Sequence, residues 1–244
     1  MVVDINGEFI SGRSQPKLVQ VKPKINGTTL HLSAPGMINL DVDIERLQLA
    51  EPVKAIVWGQ LVDAVDAGEE AARWFSRYLL QEDFGFRLMY YPSSMPTRKV
   101  PKKKNTFGVD FSLDAGAFHD AISFMMINEG SINELNSRVE IPISAIQFRP
   151  NFVVKGPAAF TEDNWKWVKI GDGTVFRNVK PCKRCLFVNV DPETALRNPN
   201  QEPLRTLKSY RRLEKCGENP VMGIYLGLRK QGKVRIGDPV YVDC

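Results

Sequence analysis

Residues 180–195 read KPCKRCLFVNVDPETA and set Cys182 and Cys185 three residues apart, with Lys183 and Arg184 between them. Several chemistries use such a pair. A structural zinc site takes four Cys, His or carboxylate ligands, usually from two close-spaced pairs. The remaining candidates, Cys216, Cys244, His31 and His119, form no second pair. A thioredoxin-like redox pair sits at a helix N-terminus, whose dipole lowers the thiol pKa. Residues 186–190, LFVNV, are instead alternating and β-branched, which predicts a strand. A thiol beside two cations is favoured as its thiolate and has donors at hand for an anionic ligand. Zinc and redox exchange are thus poorly supported, and the pattern leaves a single-thiolate ligand site and an inert strand cysteine evenly placed.

The elements that must position these residues come from a chain of 244 residues, long enough for one large or two modest domains, and its 43% hydrophobic content supplies a core. Four cysteines are too few for a disulfide scaffold, so they read as free thiols or ligands in a reducing compartment. No apolar run approaches the roughly 18 residues that span a bilayer, and the first residues lack the pattern of a secretory signal. The net charge of +5 is mild and unevenly placed, which favours a local anionic partner over nucleic acid.

Asn6-Gly7 and Asn26-Gly27 lie between apolar-alternating runs, LVQVKPKI and TTLHL around the second, and predict β-hairpins in which both central residues take positive φ. A strand follows over residues 54–58. Ala71, Trp74, Phe75, Tyr78 and Leu79 then recur at helical spacing behind Glu69 and Glu70, predicting a helix whose aromatics pack in the core. Residues 86–91 return to strand. Residues 92–108, with three prolines and Arg98, Lys99, Lys102, Lys103 and Lys104, oppose packed structure and mark a boundary or exposed loop. Further strands are expected over residues 123–127, 152–154, 175–179, 186–190, 224–228 and 234–236, and Ser131 to Glu134 has the form of a capping box opening a helix to Arg138. The fold class is therefore β-rich α+β, barrel-like, in two domains: residues 1–92, a basic linker 93–108, and residues 109–244.

PCKRCLFVNVDPETA, FRPNFVV at residues 148–154, LKSYR at residues 207–211 and GDPVYV at residues 237–242 resemble the MOSC domain of the mitochondrial amidoxime reducing component family, a family of molybdenum enzymes. The upstream hairpins and VWGQLVDAVDAGEEAARWFSRYL look like the MOSC N-terminal β-barrel domain paired with it. The resemblance implies that Cys185 binds molybdenum directly, its soft sulfur beside the dithiolene sulfurs of the pterin in the molybdenum cofactor (Mo-molybdopterin). It also implies cofactor contacts from Lys183, Arg184, Arg149, Asn151 and Tyr225, and from Asp120 and Ala121. Neutral readings stand beside two of these: Arg149 as a strand-end cap and Tyr225 as a core aromatic. At residues 120–123 this chain has Asp-Ala-Ile-Ser where the family has an Asp-Thr-Ser-Pro type stretch, so Ala121 offers no side-chain hydrogen bond.

By the same resemblance, the function expected is reduction of N-hydroxylated compounds such as amidoximes, hydroxamic acids and N-oxides, with electrons from NADH through cytochrome b5 reductase and cytochrome b5. The basic run from Arg98 to Lys104 would dock the acidic cytochrome. Two other classes are a cofactor-binding or carrier module, like the same domain at the end of molybdenum-cofactor sulfurases, and an inactive relative. In the family a membrane anchor and a Lys-Ser strand that grips the cofactor phosphate precede the point matching Met1, so this chain is expected to be a shortened form or to hold its cofactor with fewer contacts. Location is accordingly the mitochondrial outer membrane by resemblance, or the cytoplasm without that anchor.

Overall fold

A computed structural model describes residues 1–99 and 113–243, and the chain divides into two compact units, 1–98 with 192–196, and 99–191 with 197–244. The expected linker 93–108 falls largely outside the described residues.

The first unit is built from β1 (Val2–Asp4), β2 (Lys22–Asn26), β3 (Thr29–Ser33), β4 (Leu40–Asp43), α1 (Ile44–Gln48), β5 (Val53–Val57), β6 (Gln60–Asp66), α2 (Glu69–Leu80) and β7 (Phe86–Tyr90). Its strands form two antiparallel sheets, β1-β7-β6-β5 and β2-β3-β4. The helix read from the sequence buries Ala71, Trp74, Phe75, Tyr78 and Leu79 against Leu32, Leu40, Val42 and Phe86. Ser76 Oγ, fully buried inside this helix, donates to Ala72 O at 2.8 Å and accepts from Phe86 N at 3.0 Å, which pins β7 to α2.

Two details of the hairpins differ from expectation. Asn26 pairs with Thr29, so the turn centres on Gly27 and Thr28, and Gly27 takes the positive φ of +57°. That is the arrangement with glycine at the first central position. The run before it does not extend the strand, because Pro16 at the first helical position starts a 3-10 helix, Pro16–Gln20.

In the second unit, two-residue β9 (Ala115–Gly116) precedes β10 (Phe124–Asn128), α3 (Glu129–Asn136), β11 (Phe152–Val154), β12 (Trp167–Ile170), β13 (Thr174–Lys183), α4 (Leu204–Tyr210), β14 (Val221–Lys230) and β15 (Val240–Asp243). Two-residue β8 (Arg98–Lys99) lies at the change of unit. Six strands form one curled half-barrel sheet, β11-β10-β14-β13-β12-β15, antiparallel except for β10 with β11. Its core gathers Met126, Val168, Phe176, Ile224 and Leu226 in one cluster and Met125, Ile127, Leu135, Phe148, Cys182, Leu207 and Met222 in another. The β-rich α+β class with barrel-like sheets is therefore observed.

Three sequence expectations are corrected here. Residues 186–190 are not a strand: Leu186–Asn189 is a 3-10 helix closed by Val188 N to Cys185 O at 3.2 Å and Val190 N to Phe187 O at 3.1 Å. An alternating pattern forms a strand only where a neighbour accepts it, and here the segment pairs only through the isolated bridge of Val190 with Arg197. Residues 234–236 are not a strand either: the chain turns at Arg235, whose N–H is held by Asp238 Oδ2 at 2.8 Å, and the strand begins at Val240. Finally, Ser131 opens no capping box. Asn128 is the N-cap of α3, its Oδ1 accepting from Gly130 N at 2.9 Å.

Ser131 is instead buried in a polar knot. Its hydroxyl donates to Glu162 Oε1 at 2.7 Å and accepts from Phe160 N at 2.7 Å, while Asn128 Nδ2 approaches Glu162 Oε2 at 3.3 Å. Burial pushes the Glu162 carboxyl above its ordinary pKa, against the opposing pull of these hydrogen bonds. Ser131→Ala should lower unfolding stability by about 1–3 kcal/mol, since two buried groups lose a partner. Removing the hydroxyl raises the carboxyl pKa further, so the loss should be larger at about pH 8 than at about pH 4, where the carboxyl is protonated. Urea unfolding at both pH values checks this, and an equal loss at both would contradict it.

Candidate active site

The ladder between β13 and β14 carries the site. Its register slips between Pro181↔Ile224 and Lys183↔Val221, so one residue on β13 faces two on β14, Met222 and Gly223. This is a β-bulge with glycine at positive φ, +74°. A Cβ on Gly223 would stand 2.5 Å from Met126 O, so the close approach of β10 admits no side chain. The bulge ends regular pairing and sends the chain from β13 into the turn that bears Cys185.

Cys185 is the N-cap residue of that 3-10 turn and is half-buried, whereas Cys182 and Cys216 are buried. The strand context that argued against redox exchange is therefore gone. A single 3-10 turn nevertheless lacks the aligned peptide dipoles that activate a thiol at a true helix N-terminus. Cys182 packs with Met125, Phe148, Val188 and Met222, so the two thiols occupy different environments.

Between them, Lys183 is exposed and Arg184 only 7% exposed. Arg184 Nε and Nη2 donate to Met222 O at 2.9 and 2.5 Å, and Nη1 donates to Phe148 O at 3.1 Å. The structure thus directs the expected cofactor contact of Arg184 inward, onto backbone carbonyls. Arg149 follows Phe148 in the left-handed region, φ +56°, at the end of the 3-10 turn Ala145–Phe148. The residue is exposed, yet one side of its guanidinium lies 4.9 Å from the Phe187 ring centroid. Loss of water on that side lowers its pKa, and an arginine so placed still stays charged. Gln147 Nε2 donates to Val188 O at 2.8 Å and sews the two 3-10 turns together.

Asn151 sits two residues further on. Its backbone N donates to Met125 O and its Oδ1 accepts from Met125 N, both at 2.8 Å, so the exposed residue fixes the start of β11 on β10 through its Oδ1. Asn151 also borders a cavity of about 350 Å³ under the turn before β15, which none of the other expected site residues lines.

Tyr225 lies on β14, half-buried, with Lys180 Nζ 5.2 Å from its ring centroid and Ala121 packed nearby. Burial first, then the adjacent Cys182 thiol, raises its pKa well above the ordinary tyrosine value, so it stays a protonated donor. Asp120 is exposed but close enough to add to that shift, and Arg184 opposes it. Two groups emerge: Cys185, Arg184, Arg149 and Phe187 around the paired 3-10 turns, and Tyr225, Cys182 and Lys180 on β13 and β14 with Ala121 and Asp120 from the segment before β10. Gln147, Phe148, Phe187 and Met222 were not read from sequence. Only the last had a signal, the isolated glycine after it in a strand pattern.

Among the described residues no group of three or more His, Cys, Asp or Glu could hold a metal. A metal bound at Cys185 must therefore bring its remaining ligands, as a dithiolene cofactor does, and the donors nearby suit an anionic, acceptor-rich group. Arg98, expected in a docking run, is buried and its Nη1 donates to Gln60 Oε1 at 3.3 Å; Lys102 to Lys104 lie outside the described residues.

The chain belongs to the MOSC-domain family, whose members are associated with molybdenum-cofactor binding: residues 114–241 match the MOSC domain and residues 1–82 the MOSC N-terminal beta barrel domain. More particularly, its relatives are amidoxime-reducing components. It is 34% identical over 247 residues to mitochondrial amidoxime-reducing component 1 of Mus musculus, covering 99% of this chain and 71% of the relative. The zebrafish protein, from Danio rerio, is 35% identical over 242 residues, with 99% and 72% covered, and the Homo sapiens protein 32%, with 99% and 71% covered. These relatives are named as mitochondrial and as reducing amidoximes, so homology makes oxidoreductase the class of this chain. No helix among the described residues is long and apolar enough to cross a membrane.

The geometry separates the thiols by access. Iodoacetamide on the native protein, followed by peptide mapping, should label Cys185 at least about tenfold faster than Cys182 or Cys216, which react only through opening of the fold. Equal rates would mean that Cys182 is not held in the core.

Proposed function

We propose that the chain is a molybdenum-cofactor-dependent reductase of N-hydroxylated compounds, among them amidoximes, hydroxamic acids and N-oxides, with Cys185 as the metal's protein ligand. One observation carries this reading: the half-buried thiol of Cys185 opens a braced turn whose Phe187 ring lies 4.9 Å from the guanidinium of Arg149, while Cys182 is sealed in the core. When bound, the cofactor supplies the two-electron change: an amidoxime, two electrons and two protons become an amidine and water.

The chain's own residues do the rest. Cys185 supplies one soft anionic sulfur. Arg149, Lys183 and the Asn151 amide donate to phosphate and pterin acceptors. Asp120, whose charge acts on Tyr225, and Ala121, which packs with Tyr225 on Ile122 and Val179, would add contacts, and the Tyr225 phenol stays a donor at physiological pH. Electrons would come from NADH through cytochrome b5 reductase and cytochrome b5, and the mitochondrial outer membrane is the proposed location, in keeping with relatives named as mitochondrial.

The test is Cys185→Ala against wild type, with molybdenum content and benzamidoxime reduction measured on each. Wild type should carry molybdenum and turn over; the variant should fall by at least about a thousandfold in activity, since it lacks the thiolate ligand. Molybdenum without turnover in wild type would point to a cofactor carrier, and no molybdenum at all to an inactive relative. Unchanged turnover in the variant would show that the ligand is misassigned.

A further inference from the structure

Arg184 was expected to touch the cofactor, and its geometry suits a different task. Its guanidinium is enclosed, with three hydrogen bonds ending on two carbonyls and Nη2 also 3.6 Å from Met125 Sδ. Its carbon lies 5.1 Å from the Phe148 ring centroid. The two carbonyls are not arbitrary. Phe148 is the residue before Arg149, and Met222 is the bulged residue of β14 whose carbonyl the ladder slip leaves for a donor other than β13. Arg184 itself is the residue before Cys185, and its own N–H donates to Pro220 O at 2.8 Å.

A single planar fork therefore ties together the bulge, the turn bearing Arg149 and the turn bearing Cys185. We propose that Arg184 is a positioning residue that fixes the separation and relative orientation of the Cys185 thiol and the Arg149 guanidinium without itself meeting the bound group. This deepens the function proposed above and rests on the roles given there to Cys185 and Arg149.

The chemistry of the fork makes the inference specific. Lysine keeps the charge but concentrates it at one point on a flexible stem, so it can meet one carbonyl well and cannot span both in a plane. The carbonyl left over is buried and loses a charge-assisted partner. The segment would relax by local movement, with the other tie, from Gln147 to Val188, still in place.

The experiment compares wild type, Arg184→Lys, Arg184→Met and, as a control at an exposed ion pair elsewhere in the unit, Arg205→Lys. Four quantities are read: molybdenum content per chain, kcat and KM for benzamidoxime, and the peptide-resolved alkylation rate of Cys185 in the metal-free protein. Arg184→Lys should keep its molybdenum to within about twofold and its KM, but lose about ten- to a hundredfold in kcat, the effect of a small misplacement at a reacting centre. In the metal-free protein Cys185 should be alkylated several-fold faster than in wild type, with Cys182 still protected. Arg205→Lys should change none of these.

Should Arg184→Met not accumulate as folded protein, Arg184→Lys carries the comparison. Wild-type kcat and wild-type alkylation in Arg184→Lys would overturn the positioning role. Loss of molybdenum in proportion to activity would do so as well, because it would make Arg184 a binding residue. Failure of the wild type to bind molybdenum would instead strike the proposed function, and the alkylation rates would still decide whether Arg184 holds Cys185 in place.

Discussion

The candidate site in the second unit is organised by one of the places where β14 cannot run straight, between Val221 and Ile224. At Met222–Gly223 β10 comes so close to β14 that Gly223 must lack a side chain, it takes positive φ, and the ladder with β13 slips by one residue. The site is assembled at that slip. There the Met222 carbonyl accepts from Arg184, β13 ends at Lys183, and the buried Cys182 gives way to a half-buried Cys185 at the start of the next turn. A straight ladder would continue the alternation of β13 and leave no corner on which to mount a ligand.

Around this corner, burial assigns different roles to like residues. Two cysteines in one short motif differ because one packs among Met125, Phe148, Val188 and Met222 and the other starts a turn. Two arginines differ likewise. Arg184 is enclosed and satisfied by carbonyls, as a buried cation must be, while Arg149 is held by its backbone at the end of a turn and keeps its fork available. Tyr225 binds the corner from behind, its phenol against Cys182 and its ring beneath Lys180.

Much of the fold was legible because strong local patterns and tertiary demand agreed. The helix Glu69–Leu80 follows its apolar spacing, and β10, β11 and β14 follow their apolar runs. The errors arise where a partner, not the pattern, decides. LFVNV has strand composition but meets no strand to pair with along its length, so it closes local turns instead. Ser131 has the right spacing for a cap, but Asn128, the last residue of β10 and three residues earlier, caps the helix, which frees Ser131 for the buried Glu162. The identity of the candidate ligand was legible only through family resemblance, since spacing alone left Cys185 poised between ligand and inert thiol. The inward turn of Arg184 was not legible at all, because it depends on carbonyls supplied by residues 148 and 222, far away in sequence.

The central claim is that one thiol of this chain, Cys185, completes the sulfur coordination of a molybdenum centre. X-ray absorption at the molybdenum edge, on wild type, Cys185→Ser and Cys182→Ser, tests it most directly. The account predicts one sulfur neighbour fewer in Cys185→Ser and an unchanged shell in Cys182→Ser; the reverse pattern, or an identical shell in all three proteins, would contradict it.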